Sequence, residues 1–297
     1  MEEFQINTQT KMGRVTLKVM DLHRQTSFYE QVVGLRVIER TAEYALLGVA
    51  EQEVLIELRK TAEKEQPAKG TGLYHIAFQL PTREAFATKF FEILRNKTPI
   101  DCPTEQASRY PHFDRIIPIS RLDSASDHGY SESIYLHDLE ANGIEIYVER
   151  QNPTEISGNH PLNFKELAVI ANEESDGKLP KQTTIGHIHL RVSKFEETVD
   201  FYSQVLGFEL RDLTDDTFSV ASDRRHHHIA GNTWSGENIA QPLAIHSGLY
   251  QFEIVLPDEQ SLDELKNHVK QFVQMQEAQT GFIVKDPSGN QIFISRN

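Results

Sequence analysis

An internal repeat limits the folds open to this chain more than any other feature of the sequence. Three pairs of segments match in the same order. They are Gly13–Val19 with Gly186–Val192, Gly72–Pro81 with Gly248–Pro257, and Asp138–Ile146 with Asp286–Ile294. The first two pairs are offset by 173 and 176 residues, and the third by 148. The chain is therefore a duplication, and its first half carries extra residues near Ile100–Ser126.

Each half contains two smaller units, which read as one strand, one helix and three strands. Val15 and Leu17 alternate with polar residues, which is typical of a strand. A helix is predicted from Leu22 to Val33, and Gly34 ends it. The predicted fold class is α+β with four βαβββ modules. At about 150 residues per domain, we expect a domain at residues 1–150, a connection at 151–183 and a second domain at 184–297.

Charge and composition narrow the class of protein. The net charge is -14, which disfavours nucleic acid and acidic membranes as partners. No apolar run is long enough to cross a bilayer, and the first residues lack the pattern of a secretion signal, so a cytoplasmic location is expected. Cys102 is the single cysteine. A metal site would therefore use His, Asp and Glu, and the chain has 13 histidines.

Several motifs in these modules resemble a known superfamily. They include the strand His187–Val192, the Phe201–Tyr202 pair with the following Leu206–Gly207 turn, and the closing strand Asn142–Tyr147. Four modules with such motifs resemble the vicinal oxygen chelate superfamily, which contains glyoxalase I and the extradiol dioxygenases. Further motifs resemble its bacillary catechol 2,3-dioxygenase-like branch. These are Gly72–His75, Ser126–Gly129, Ile185–Leu190 and His226–Ile229. The resemblance implies that the modules form two half-barrel cups.

Strand parity and the superfamily pattern together indicate the metal ligands. The resemblance implies that ligands come from the first and last strands of each module. Apolar residues alternate with His187 and His189, so these histidines should face the cup. The same alternation points His75 and Glu145 into a cup.

The sequence leaves open which modules share a cup. Pairing modules one with two and three with four gives no complete ligand set. That arrangement places Arg14, Glu57, His75 and Glu145 in one cup, and His187, Gln251 and Phe293 in the other. A crossed pairing of modules two and three unites His75, Glu145 and His187. Two histidines and one carboxylate suit non-haem Fe(II), with Mn, Zn and Ni as alternatives, so this trio is the predicted metal site.

Four further residues are predicted to act on the substrate: His228, His226, His128 and Tyr147. If the histidine run continues a strand, His226 and His228 share one face and His227 takes the other. One of the three predicted histidines would take and return a proton, and Tyr147 would position an oxygen. The ordinary alternatives are a solvated strand end for the run, a loop position for His128 and a cup-lining role for Tyr147.

The resemblance and the ligand set favour a metal-dependent extradiol dioxygenase that cleaves a catechol-like or hydroquinone-like aromatic. Its expected partners are that small aromatic substrate and dioxygen. A glyoxalase-like metal-dependent isomerase or lyase is one alternative, and a metal-free binding protein of the resistance type is another. The substrate, the role of the insertion and the oligomeric state stay open, a homodimer included.

Overall fold

The computed structural model describes residues 4–95, 122–153 and 158–297. Most of the insertion predicted near Ile100–Ser126 lies outside these residues. Strands of the first half are β1 Lys11–Val19, β2 Arg36–Arg40, β3 Tyr44–Ala50, β4 Glu53–Lys60, β5 Gly72–Gln79, β6 Leu122–Asp127, β7 Ser131–His137 and β8 Gly143–Glu149. Those of the second are β9 Thr184–Arg191, β10 Glu209–Leu213, β11 Thr217–Ala221, β12 Ile229–Asn232, β13 Gly248–Leu256, β14 Gln276–Ala278, β15 Gly281–Lys285 and β16 Gln291–Arg296.

In each module a helix stands between the first and second strands, as predicted, and a further helix of the described residues lies in the segment 151–183. The α-helices are α1 Leu22–Phe28, α2 Arg83–Arg95, α3 Phe164–Ile170, α4 Phe195–Asp200 and α5 Glu259–Val269. A π-helical turn, Tyr29–Val33, continues α1, and Phe201–Val205 continues α4 in the same way. Gly34 then ends the first helix with a φ of 95°, a left-handed conformation that glycine adopts without steric cost. None of the helices in the described residues is long and apolar enough to span a membrane.

The strands form two mixed sheets of eight strands each. One sheet, here called the histidine sheet, has the order β10-β11-β12-β9-β5-β8-β7-β6. The other, here called the arginine sheet after Arg14 on β1, has the order β14-β15-β16-β13-β1-β4-β3-β2. The histidine sheet thus combines modules two and three, and the arginine sheet combines modules one and four. This strand order is the crossed pairing, and it corresponds to the predicted α+β class with duplicated modules.

The alternation of apolar residues predicts the buried face of the strands correctly. Ile188, Leu190 and Val192 are fully buried. On β5, Ile76 and Phe78 are also fully buried. Because side chains on a strand alternate between its faces, His75 on β5 and both His187 and His189 on β9 point to the other side of the sheet.

Packing groups the chain into two compact units, each with a similar buried pair. One unit contains Met1–Met20, Thr61–Ala77 and Ile185–Asn297, and the other contains Asp21–Lys60 and Phe78–Thr184. Within the second of these, the Tyr29 hydroxyl donates to Asp138 Oδ2 at 3.1 Å. Within the first, the Tyr202 hydroxyl donates to Asp286 Oδ2 at 3.0 Å. The Phe-Tyr motif of the repeat therefore has a structural reason, because its tyrosine satisfies a buried carboxylate.

Candidate metal centre

Three buried side chains of the histidine sheet converge. His75 lies on β5, Glu145 on β8 and His187 on β9, and these strands are consecutive in the sheet. Their exposed fractions are 7%, 4% and 5%. One ligand atom from each lies within 4.8 Å of the others. The structure thus brings together the three residues predicted as metal ligands.

The two imidazoles are spaced as two ligands of one ion would be. His75 Nε2 and His187 Nε2 are 3.2 Å apart. Two ligands at right angles, each about 2.1 Å from a shared ion, would stand about 3 Å apart. Two N–H groups cannot point at each other over this distance, so at least one nitrogen presents a lone pair. With the Glu145 carboxylate, the donor set is the one that suits Fe(II) and related divalent ions.

Glu145 is held by a tyrosine that the sequence did not single out. Tyr135 faces Glu145 across the β7–β8 pair, and its hydroxyl donates to Glu145 Oε1 at 3.1 Å. Burial, followed by the charge of Glu145, raises the pKa of Tyr135 well above its ordinary value, so the hydroxyl keeps its proton. Antiparallel pairing of the strands expected at Ser131–Leu136 and Gly143–Val148 could have revealed this residue, because that register places these two positions opposite each other.

His128 joins the same hydrogen-bonded chain. Its Nε2 is 3.0 Å from the Tyr135 hydroxyl oxygen. Because the single hydroxyl proton of Tyr135 is directed at Glu145, His128 Nε2 must supply the proton of the second bond. His128 is therefore connected to the predicted ligand Glu145 through one intervening residue, Tyr135. Its predicted catalytic role stays a prediction.

The histidine run is not a continuous strand, because β12 begins only at Ile229. The alternation of side chains along a strand therefore does not predict the directions of these three histidines. The ring of His227 lies against that of His187, with centroids 4.1 Å apart. His226 Nδ1 is 2.7 Å from His227 Nδ1. The expectation that alternation turns His227 away from its two neighbours was wrong for this reason. The catalytic role predicted for His226 stays a prediction.

His228 is fully buried. Its Nδ1 accepts the backbone N–H of Ser222 at 3.2 Å, and its ring packs near Phe208 with centroids 6.1 Å apart. Burial, followed by the charge of Arg225, lowers the pKa of His228 to about 4. The imidazole is thus neutral at pH 7. Its predicted role in proton transfer stays a prediction.

Tyr147 follows Glu145 by two residues on β8 and is 4% exposed. Its backbone oxygen accepts the N–H of Leu80 at 2.8 Å. The position agrees with strand parity, which places it on the same face as Glu145. Its predicted role in orienting a substrate oxygen stays a prediction.

His189 faces the same side as His187 but serves a different purpose. The Asn232 side-chain oxygen accepts the backbone N–H of Trp234 at 3.2 Å, so its amide nitrogen is the atom that donates to His189 Nε2 at 2.9 Å. His189 Nε2 is then an acceptor and its proton resides on Nδ1. This bond explains why His189 stands beside the predicted ligands without joining them.

Corresponding positions of the arginine sheet hold other side chains. The repeat relates His187, His75 and Glu145 to Arg14, Gln251 and Phe293 respectively. Gln251 Oε1 accepts from Gln291 Nε2 at 3.0 Å, and Glu57 bonds to Arg59 Nε at 2.6 Å. Among the residues that the structure describes, a group able to hold a metal ion occurs at the histidine sheet alone.

Comparison with known proteins places this fold in a family. The model of the Glyoxalase/Bleomycin resistance protein/Dioxygenase superfamily matches residues 11–105 and 184–294, and the chain belongs to that superfamily. It is 31% identical over 295 residues to a catechol-2,3-dioxygenase of Bacillus subtilis (strain 168), and the match covers 95% of each chain.

Solved structures share the fold at low sequence identity. A Bacillus subtilis crystal structure matches with a TM-score of 0.62 and 11% identity, over 99% of this chain and 86% of the other. Glyoxalase I from Zea mays matches with a TM-score of 0.54 and 15% identity, over 97% of this chain and 92% of the other. One architecture thus accommodates proteins with different names, so the reaction must be argued from the site.

Proposed function

We propose that this protein is a metal-dependent, ring-cleaving extradiol dioxygenase that acts on a catechol-like or hydroquinone-like aromatic, with Fe(II) as its metal. The observation that carries this proposal is the convergence of His75, Glu145 and His187 within 4.8 Å. The likeness to a catechol-2,3-dioxygenase over 95% of the chain supports it. Dioxygen and a small aromatic are the proposed partners, and the cytoplasm is the proposed location.

The ligand set suits a chelating diol. Two neutral imidazoles and one carboxylate would leave one positive charge and open positions on a divalent ion. Such an ion, when bound, lowers the pKa of a hydroxyl group attached to it and holds reactants side by side. Burial of the three ligands excludes most water, which strengthens the attraction for an anionic oxygen.

Residues around the ligands then have separate tasks in this proposal. Tyr135 and His128 hold Glu145 in one orientation, since each donates one hydrogen bond along the chain that ends on its carboxylate. Partners of this kind tune how well a ligand binds its metal. A histidine close to the substrate would accept the second hydroxyl proton. We propose His128, His226 or His228 for that step, and Tyr147 for holding a substrate oxygen.

Activity with a panel of diols tests the reaction. The purified protein is loaded with Fe(II) without oxygen, mixed with catechols or hydroquinones, and then exposed to air. We expect a yellow ring-cleaved product with at least one of them. A colourless outcome across the whole panel, with iron bound at one ion per chain, would overturn the proposed reaction while leaving the metal site standing.

Metal identity separates the dioxygenase from its metal-dependent rival. A glyoxalase-like isomerase or lyase would polarise a carbonyl group and would work with Zn, Ni or Co instead of Fe(II). The measurement is elemental analysis of the protein as purified, followed by activity after exchange of the metal. Dioxygen consumption that depends on Fe(II) supports the proposal, whereas isomerase activity with Ni or Zn would replace it. Protein that binds no divalent metal would instead point to the binding-protein alternative.

A further inference from the structure

We propose that His226 and His227 form an entry site for divalent transition-metal ions, which captures an ion at the protein surface and passes it to the buried ligands. This inference rests on the proposed function only in requiring the metal centre of His75, Glu145 and His187, and it does not depend on the reaction. Its basis is a row of four imidazoles, here called the imidazole series. In order from the surface, the series consists of His226, His227, His187 and His75.

Burial increases along the imidazole series. His226 is exposed and His227 is half-buried, whereas His187 and His75 are only 5% and 7% exposed. An ion that reaches the two inner rings must exchange its water for protein ligands, because moving a charge out of water without replacement ligands costs much free energy. A half-buried imidazole next to the inner rings offers such a replacement.

Each ring of the series contacts the next. The ring centroids of His226 and His227 lie 5.0 Å apart, and those of His227 and His187 lie 4.1 Å apart. At the inner end, the centroids of His187 and His75 are separated by 5.4 Å. An ion that moves along the series therefore takes short steps and keeps a nitrogen ligand close by at each of them.

The two outer imidazoles are close enough to bind one ion together. His226 Nδ1 is 2.7 Å from His227 Nδ1, which is the separation of two nitrogens about 2.1 Å from a shared ion when they subtend about 80° at it. With the proton of each ring on Nε2, both Nδ1 atoms present lone pairs. Imidazole suits Fe, Zn and Ni, whereas Mg and Ca prefer oxygen. Two ligands hold an ion less firmly than three, so the captured ion can move on to the buried site.

Backbone hydrogen bonds hold this pair beside His187. Strand β12 runs parallel to β9, with Ile229 opposite Ile188. The N–H of Ile188 donates to the His228 carbonyl at 3.0 Å, and the N–H of His228 donates to the Val220 carbonyl at 2.8 Å. The backbone of His228 is thus tied on both sides. The two residues just before it are therefore kept next to the strand that carries His187.

The charges near the pair permit a cation to approach. Arg225 Nε donates to both carboxylate oxygens of Asp223, at 3.0 and 3.1 Å, so its charge is largely neutralised. Arg224 is exposed, and a long side chain of this kind can keep its charged end in water. The net charge of the chain is -14, which attracts cations to the protein as a whole.

Rates of metal uptake test the proposal without any turnover. The purified protein is stripped of metal and mixed with Zn²⁺, and a fluorescent zinc indicator reports the loss of free ion. Excess chelator then starts release. We expect His226→Ala to slow uptake about tenfold, because capture next to the final site raises the local concentration of the ion. Release should slow by the same factor, since a group that only eases passage acts equally in both directions. The Kd for zinc should therefore equal that of the parent protein.

The matched control is His23→Ala. His23 is also exposed, but it lies on α1, which packs on β3 and β4 of the arginine sheet. Its removal should leave both rates unchanged. If His226→Ala takes up zinc at the parent rate, the entry site is wrong. Faster release with a weaker Kd would also overturn it, because His226 would then be a ligand of the final site.

The capture step has its own readout in His187→Ala, whose buried site is incomplete. In a titration of this purified variant, Zn²⁺ should bind weakly and reversibly, and the double variant His187→Ala/His226→Ala should lose that binding. If these two variants bind zinc alike, the entry site is wrong.

Failure of the proposed function is distinguishable from failure of the entry site. If the parent protein takes up no zinc, or if His187→Ala binds zinc as tightly as the parent, the metal centre is wrong and the entry site fails with it. A parent protein that loads zinc through His226, but turns over no diol when it holds Fe(II), contradicts the proposed reaction alone and leaves the entry site standing.

Discussion

The histidine sheet and the arginine sheet are products of one duplication, yet they differ at the positions that matter for chemistry. Where the first has His75, Glu145 and His187, the repeat places Gln251, Phe293 and Arg14 in the second. Both sheets have eight strands in corresponding orders. The scaffold therefore does not create a metal site by itself. A few side chains on a shared framework decide which sheet can hold an ion.

Removing one histidine should abolish metal binding, which is the largest effect expected. His187→Ala deletes one of the three ligands and leaves His75 and Glu145 to hold the ion. We expect the variant to be purified with almost no bound metal, as measured by elemental analysis, and to keep its circular dichroism spectrum.

The matched control is Arg14→Ala, which changes the repeat-related position of the arginine sheet. It should keep the metal content of the parent protein. If His187→Ala retains one ion per chain, the three-residue site is wrong. If both variants lose the ion, the contrast between the sheets is wrong.

A buried aspartate in the second half should make stability depend on pH. Burial raises the pKa of Asp286 to about 6 from an ordinary value of 3.8, so the folded chain binds a proton more readily than the unfolded chain. Stability from this group is therefore greatest below pH 3.8 and declines as pH rises through about 6. The full difference is about 3 kcal/mol.

The measurement is the free energy of unfolding in urea between pH 7 and pH 4.5, compared with Asp286→Asn. The parent protein should gain about 2 kcal/mol relative to the variant as pH falls over this range. Asp138 is the counterpart in the first half, and burial raises its pKa too. Asp138→Asn should therefore remove a slope of the same sign. If the stability of only one of the two halves depends on pH in this way, the halves differ in their buried aspartates as well as at the metal-ligand positions.

A smaller effect is expected from the residue that holds Glu145. Tyr135→Phe removes the hydroxyl donor and leaves the carboxylate freer to turn, which should weaken metal binding about tenfold. A competition titration with a chelator measures this change. Tyr44, whose hydroxyl bonds to Glu39 on the arginine sheet, supplies the control. Metal affinity should be unchanged in Tyr44→Phe, and an equal loss in both variants would contradict a specific role for Tyr135.

The repeat and the apolar alternation were sufficient to predict most of the local structure. Helix α1 and the π-helical turn after it together cover the predicted helix Leu22–Val33. The strands expected at Ser131–Leu136 and Gly143–Val148 are β7 and β8, each one residue longer than predicted, because strand and helix periods are local properties of a sequence. The division into domains at 1–150 and 184–297 stays a prediction. The segment around His226–His228 was misread because strand parity was applied to residues that do not form a strand.

Side-chain partners were harder to predict than the ligands themselves. His75, Glu145 and His187 could be proposed because each alternates with apolar residues on its strand and because the resemblance implies ligands on the first and last strands of each module. Tyr135 was missed because its importance comes from the residue opposite it on β8, and His227 because loop geometry sets its direction. Neither relation can be read from spacing along the chain alone.

By itself the sequence determined the duplication, the modules and the short set of residues able to bind a cation, since all of these depend on residue type and on periods of two or 3.6 residues. Only the tertiary structure decided which modules share a sheet. Strands distant in sequence become neighbours through backbone hydrogen bonds, and no local sequence pattern indicates which strands will pair. The strands β9, β5 and β8 are such neighbours. Their adjacency brings two imidazoles to 3.2 Å of each other.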